Sequence, residues 1–405
     1  MNSGIRLIVY TGKGGTGKTV ISCSTAIKLA DRNYRTLVIS SDPAHTLSDA
    51  FIQQISDDTS DVIEVFPNLY ALQVDPIIEI NRQYGEILTY TASIFSSKGV
   101  DETLAYEIAM MPGMTQLFSL LKIEEVIRSK LYDVVVLDMP ASGEALRYLY
   151  FPKLVGGINR KLMGLIGAFS GFQKIFQAFS GFSLPDKMLR YEQELFERLD
   201  YLSNIISDNE VTSMRLVANP DKFSIENAKR ALVSANLYGI NVDLAVINKI
   251  MPIFSVGKDS TDYYTNWTKF QHKRLEEAKA NFYPLPIKEV PLHSNELAGV
   301  DMLRANADLL FPGGEDPAKI FYHGKPFSII KEDPDKLHLA VKVPFVTGEN
   351  FEIKRSGSDV IVKIRTPTGY LSNVIPLPTI TFNMKLLEAY LDNNVLNIIF
   401  EKLKI

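Results

Sequence analysis

Apolar residues along this 405-residue chain follow two rhythms, and the change between them divides it. In the longer first part, short unbroken apolar runs alternate with stretches where apolar positions recur every three or four residues. Residues 5–10, 36–40, 132–138 and 244–248 are of the first kind and read as strands. Within them, Val134-Val135-Val136 has the look of a central parallel strand buried on both faces. Residues 20–30 are of the second kind and predict a helix directly after the first strand. The turn-forming cluster Phe311-Pro312-Gly313-Gly314-Glu315-Asp316-Pro317 closes this part. Beyond a connector, polar and apolar residues alternate over 337–343, 351–355, 359–364 and 395–402, the pattern of short strands in a small β-sandwich. The expected organisation is a domain over 1–312, a linker over 313–334 and an all-β domain over 335–405.

Between the first strand and the first helix lies Gly12-Lys13-Gly14-Gly15-Thr16-Gly17-Lys18-Thr19, followed by Val20. Strand, glycine loop and helix in that order are the context in which this spacing builds a phosphate site. Glycines let backbone N–H groups converge on an anion, and the helix N-terminus adds its partial positive charge. Lys18 is expected to reach the β- and γ-phosphates of ATP, and the Thr19 hydroxyl to coordinate Mg²⁺. The fold class is therefore α/β, a P-loop NTPase with a mostly parallel sheet.

Lys13 is not required by an ordinary P-loop. A lysine just after the first glycine resembles the "deviant" P-loop group, which includes partitioning and septum-site ATPases, the nitrogenase iron protein, arsenical-pump ATPases and tail-anchored-protein targeting ATPases. The resemblance implies a homodimer in which Lys13 crosses to the nucleotide of the other subunit; the competing reading is a surface lysine. A cation supplied in trans stabilises phosphoryl charge only when two subunits close, as an arginine finger does.

Ser41-Asp42-Pro43-Ala44-His45-Thr46-Leu47-Ser48-Asp49-Ala50-Phe51 resembles the first switch of the arsenical-pump and tail-anchored-targeting family, with Thr46 where many members have Asn. There Asp42, at the end of a strand, orients the attacking water and stands on the metal side; the plainer reading is a turn before Pro43. Asp138 fits the Mg²⁺-side carboxylate of P-loop enzymes. Residues 139–147 resemble the second switch but depart from it, with the proline one place early and Glu144 in place of His. By the same resemblance Asn248 meets the adenine edge, and Pro291 and Leu292 belong to the loop that completes the base pocket. Strand-end capping is the alternative for both. The likeness runs over roughly 5–312.

Composition then removes several classes. A net charge of −4 disfavours nonspecific nucleic-acid binding and with it a DNA-partitioning role. No apolar run reaches ~18 residues, so no transmembrane segment is expected. The first strand begins within a few residues of Met1, which points to the cytosol, or to an organellar stroma after removal of a transit peptide. The single cysteine, Cys23, cannot supply a C-x-x-C pair, so no structural zinc is expected. Nor can it form the multi-thiolate site of an arsenite-activated pump.

Roughly residues 76–205 read as a helical insertion. Within it, Leu162, Leu165, Phe169, Phe172, Phe176 and Phe179 recur at gaps of three and four, placing them on one helix face. Glycines at 164, 167, 171 and 181 interrupt that helix, and each interior glycine costs ~1 kcal/mol relative to alanine. The stripe reads as a mobile groove for hydrophobic or membrane-protein client segments, against ordinary core packing or a membrane-surface helix. At the far end, residues 389–398 resemble the closing signature of α-crystallin domains, with Asn394 in place of Gly. Together these identify the chain as resembling the targeting-ATPase subtype with a C-terminal α-crystallin-like domain. The implied function is a Mg²⁺-dependent, homodimeric ATPase that binds and releases hydrophobic clients. A slow-turnover holdase and an arsenite-stimulated pump subunit are the alternatives.

Overall fold

The computed structural model describes residues 4–41, 46–55, 61–75, 78–79, 114–139, 149, 186–252, 262–333, 335–346, 350–356, 359–366, 369–377 and 384–402. Eight strands form one sheet in the order β3-β4-β2-β5-β1-β6-β7-β8. They are β1 (Arg6–Gly12), β2 (Thr36–Ser40), β3 (Ile63–Phe66), β4 (Leu69–Gln73), β5 (Val134–Asp138), β6 (Thr212–Ala218), β7 (Val242–Ile250) and β8 (Ile287–Pro291). All pair in parallel except β3 with β4. Every residue of β1, β2, β5 and β6 is buried, which is why β1, β2 and β5 read as apolar runs; β6, with Thr212, Ser213 and Arg215, did not.

Helices cover both faces. One core packs α1 (Lys18–Ala30), α2 (Thr46–Phe51) and α7 (Val300–Leu310) on the sheet through Ile21, Ile27, Leu47, Phe51, Leu303 and Leu310. The other packs α3 (Met114–Ser129), α4 (Asp186–Ser207), α5 (Lys222–Tyr238) and α6 (Asp262–Phe282) through residues such as Ile127, Leu202, Leu232 and Phe282. In register, Tyr10 of β1 and Ser40 of β2 both stand opposite Asp138 of β5. The carboxyl ends of three neighbouring strands therefore lie side by side at one edge of the sheet, where open α/β folds place ligands.

The C-terminal part contains β9 (Phe327–Asp333), β10 (Lys336–Lys342), β11 (Phe351–Ser356), β12 (Asp359–Thr366), β13 (Gly369–Pro376), β14 (Met384–Asp392) and β15 (Val395–Lys402). Sheets β14-β15-β10-β9 and β11-β12-β13 share one apolar core. Alternation disclosed β10, β11, β12 and β15 but not the other three. In β14 the register shifts between Leu386 and Glu388, which throws the apolar positions out of phase halfway along. β9 falls within the stretch read as a linker. The β14–β15 turn holds Asn393 at φ 46° and Asn394 at φ 63°, the left-handed pair that a two-residue hairpin requires and that Asn tolerates.

The two parts share side chains. Val233 and Leu237 of α5 belong to the core of the β-sandwich, and Phe345 meets the ring of Phe282 edge-on at 6.1 Å. The connector is held from beneath by a buried charge cluster. Arg215 Nη2 donates to the carbonyls of Pro317 (2.7 Å) and Lys319 (3.2 Å), while Arg6 Nε donates to that of Ala318 (2.9 Å). Asp243 accepts from Arg215 at 3.3 Å, and lies 3.7 Å from Arg6. Nothing in the sequence pattern pointed to this cluster.

Candidate nucleotide site

The glycine loop starts where β1 is pressed hardest against its neighbour. A Cβ on Gly12 would stand 2.2 Å from the Val217 carbonyl oxygen, so only glycine lets β1 leave the sheet here. Gly15 and Gly17 lie at φ 80° and 87°, in the left-handed region that turns the chain back into α1. Thr16 closes the loop by donating its hydroxyl to the Lys13 carbonyl at 2.9 Å. Lys18, 8% exposed, bends its Nζ toward the same carbonyl at 3.4 Å. The ammonium is thus folded inside the loop, with the α1 N-terminus behind it.

Thr19, one residue further, donates its hydroxyl to Asp138 Oδ2 at 2.7 Å and lies 3.2 Å from the Thr46 hydroxyl. Three hard oxygen donors from α1, β5 and α2 therefore meet at one point. This set suits Mg²⁺, which is held by one or two carboxylates plus substrate phosphates and retains several waters. The sequence reading assigned Thr19 and Asp138 to this place but gave Thr46 no contact there. Behind them Cys23 is fully buried, and burial together with the charge of Asp138 pushes its thiol well above the ordinary range.

On the other side of the loop a cavity of about 390 Å³ is lined by Gly17, Val20, Thr46, Ala50, Asn248 and Lys249, and by the segment from Pro291 to Ala298 apart from Ser294. The structure so brings together Gly17, Val20, Asn248, Pro291 and Leu292, five residues scattered along the sequence. Asn248 has a task that sequence reasoning did not assign. Its Nδ2 donates to the Thr16 carbonyl at 2.9 Å, and its Oδ1 accepts from the Lys249 amide at 2.9 Å. The base-side loop is tied to both neighbouring helices. Gly299 N donates to Ala50 O of α2 at 2.8 Å, and His293 reaches Asn306 of α7 at 3.1 Å.

Lys13 does not turn into its own loop: its Nζ stands 5.8 Å from the ring centroid of Phe223, a residue 74% exposed at the start of α5. Asp42, the second-switch residues 140–147 and the whole stripe Leu162, Leu165, Phe169, Phe172, Phe176 and Phe179 lie outside the described residues. Among the described residues no helix is long and apolar enough to cross a membrane.

Two family models match this chain. Residues 5–311 match the family model described as anion-transporting ATPase, and residues 334–400 match an HSP20-like domain found in ArsA. A Chlorobaculum tepidum protein named "Putative arsenical pump-driving ATPase" is 31% identical over 404 residues, covering 98% of this chain and 96% of the relative. An Aquifex aeolicus protein of similar name is 30% identical over 368 residues, 89% of this chain and 92% of its own. The ATPase get3 of Sclerotinia sclerotiorum is 28% identical over 319 residues, which cover 78% of this chain and 92% of that protein. The chain therefore belongs to the anion-transporting ATPase family, as a P-loop ATP hydrolase that carries the HSP20-like domain after its ATPase domain.

Proposed function

We propose that this protein is a Mg²⁺-dependent, homodimeric ATPase that couples its nucleotide state to the binding and release of hydrophobic client segments. One observation carries the coupling. Helix α2 touches the metal-side cluster through Thr46 at its first residue and holds the base-side loop through the Ala50 carbonyl near its last. A nucleotide seated between Thr19 and Pro291 would be sensed by this one short helix at both ends. In this reading Gly12 to Val20 enclose the phosphates, Thr19 and Asp138 hold the metal, which neutralises phosphate charge, and Asp42 directs the attacking water. Lys13, which points out over Phe223, acts across the dimer, and the proposed setting is the cytosol or an organellar stroma. The resemblance of the first switch to the tail-anchored-targeting family supports a client of tail-anchor type; the stripe from Leu162 to Phe179 is its proposed seat.

Each large apolar side chain buried against a client contributes ~1.5–3 kcal/mol before ordering costs. Replacing Phe169, Phe172 and Phe176 with Ser should therefore abolish capture of a hydrophobic-tail peptide while basal ATPase activity persists. Fluorescence anisotropy with the labelled peptide, with and without MgATP, measures this. Parental affinity in a folded triple variant, or binding indifferent to nucleotide, would overturn the client reading.

Relatives named for arsenical pumps span nearly the whole chain, which favours a second reading, an arsenite-stimulated pump subunit. The one thiol speaks against it, being buried and held protonated. Arsenite at millimolar concentration is expected to leave ATP turnover unchanged; stimulation of turnover would restore the pump reading.

A further inference from the structure

The nucleotide site contains a lysine that the P-loop pattern does not ask for. Lys249 is the exposed position in a strand whose other residues are all buried, and its φ is 60°. A side chain in the left-handed region costs roughly 1–2 kcal/mol, so something at this point opposes an ordinary extended residue. The pairing of β7 with β8 slips between Ile247 and Ile250, which makes 248–249 a bulge at the mouth of the site.

The bulge aims two consecutive side chains at two consecutive carbonyls of the glycine loop. Asn248 donates to Thr16 O at 2.9 Å and Lys249 Nζ donates to Gly15 O, also at 2.9 Å. Both stems cover Gly17, where a Cβ would lie 2.4 Å from Asn248 Nδ2 and 3.9 Å from Lys249 Cε. Asn248 Oδ1 accepts the Lys249 amide, so the side chain of one residue fixes the backbone of the next. In a planar trans peptide the carbonyl and the following N–H point in opposite directions. Holding the Gly15 and Thr16 carbonyls from outside thus sets the directions of the Thr16 and Gly17 N–H groups.

From this we infer that Lys249 is a positioning residue of the ATPase site: it braces the phosphate loop from outside, and the left-handed backbone at 249 is what lets it reach. The inference rests on the ATP-binding reading of the loop. It assigns Lys249 to the phosphates' cradle and not to the base.

The test uses the full-length protein and three variants. Lys249→Met keeps the stem and the strained backbone but removes the donor. It should raise KM for MgATP roughly tenfold, the lower end of what a hydrogen bond from a charged donor supplies, with kcat held within about twofold. Lys249→Arg should restore a KM near the parental value. Lys249→Gly should show the same raised KM as the Met variant, yet melt at or above the parental temperature, because glycine adopts positive φ without strain. Inorganic tripolyphosphate, which has no base, should compete less well against the Met variant by a similar factor.

A parental KM in the Met variant would overturn the inference, as would a KM that the Arg variant does not bring back. A loss seen with ATP but not with tripolyphosphate would move Lys249 to the base pocket and overturn it too. If the parental protein itself bound neither MgATP nor tripolyphosphate, the ATP-binding reading beneath it would fall instead.

Discussion

Asp138→Asn is expected to cut Mg²⁺-dependent ATP hydrolysis by about 10²–10³, the range found when one preorganised electrostatic contact to a developing charge is removed. The exchange preserves size but removes the negative charge from a position that is 1% exposed and bonded to the Thr19 hydroxyl at 2.7 Å. Its amide would also offer a donor where the native oxygen accepts, so Thr19 must rotate or give up the bond. Rotation disturbs Thr46, 3.2 Å away, and with it the first residue of α2. The defect should depend on the metal: the Mg²⁺ concentration giving half-maximal activity rises, and excess Mg²⁺ restores part of the rate. Titrating Mg²⁺ at fixed ATP measures both. Hydrolysis at the parental rate with parental Mg²⁺ dependence would remove Asp138 from the metal side of the site.

The second large effect concerns stability and lies away from the nucleotide. Asp243→Ala should lower the unfolding free energy by roughly 3–5 kcal/mol, the cost typical of removing one partner from a buried ion cluster. Arg215 and Asp243 are both fully buried, and Arg6 is nearly so. Burial, then the neighbouring Arg215, pulls the Arg6 guanidinium down from its ordinary value to about 10. The folded value lies below the unfolded one, so the unfolded chain binds the proton more tightly between these limits. That cost is therefore present at neutral pH and is relieved only above about 10. Arg215 moves the other way: burial disfavours its charge, but Asp243 more than offsets this and holds it above its ordinary value. Without Asp243 two cations face each other unbalanced, and the Phe321 amide loses an acceptor at 3.2 Å. Because the same arginines hold Pro317, Ala318 and Lys319, the connector should loosen before the sheet does. Denaturant unfolding followed by Trp267 fluorescence, with limited proteolysis near residue 317, would show a lowered midpoint and early cleavage. An unchanged midpoint would mean that water compensates the charges.

What the sequence determined by itself was the set of features that depend on neighbours in the chain. The runs at β1, β2 and β5 are apolar because both faces of a parallel sheet are covered. The Gly12–Thr19 spacing works only between such a strand and a helix, so loop and α1 were legible together. Lys13 and Asp42 lie within short motifs of fixed spacing, and the family resemblance followed from them. Tertiary structure decided the rest. Asp138, Thr19 and Thr46 meet only because β1, β2 and β5 lie side by side, an order that no local pattern encodes. Asn248 and Lys249 brace the Gly15 and Thr16 carbonyls across more than two hundred residues of chain, through a bulge that has no composition of its own. Strand β14 escaped notice because its register slip cancels the alternation by which strands are recognised. The charge cluster of Arg6, Arg215 and Asp243 was invisible for a different reason. Arg6, Arg215 and Asp243 sit on three different strands among buried neighbours, and a charge becomes tolerable there only when the fold brings its partners and the connector's carbonyls within bonding distance.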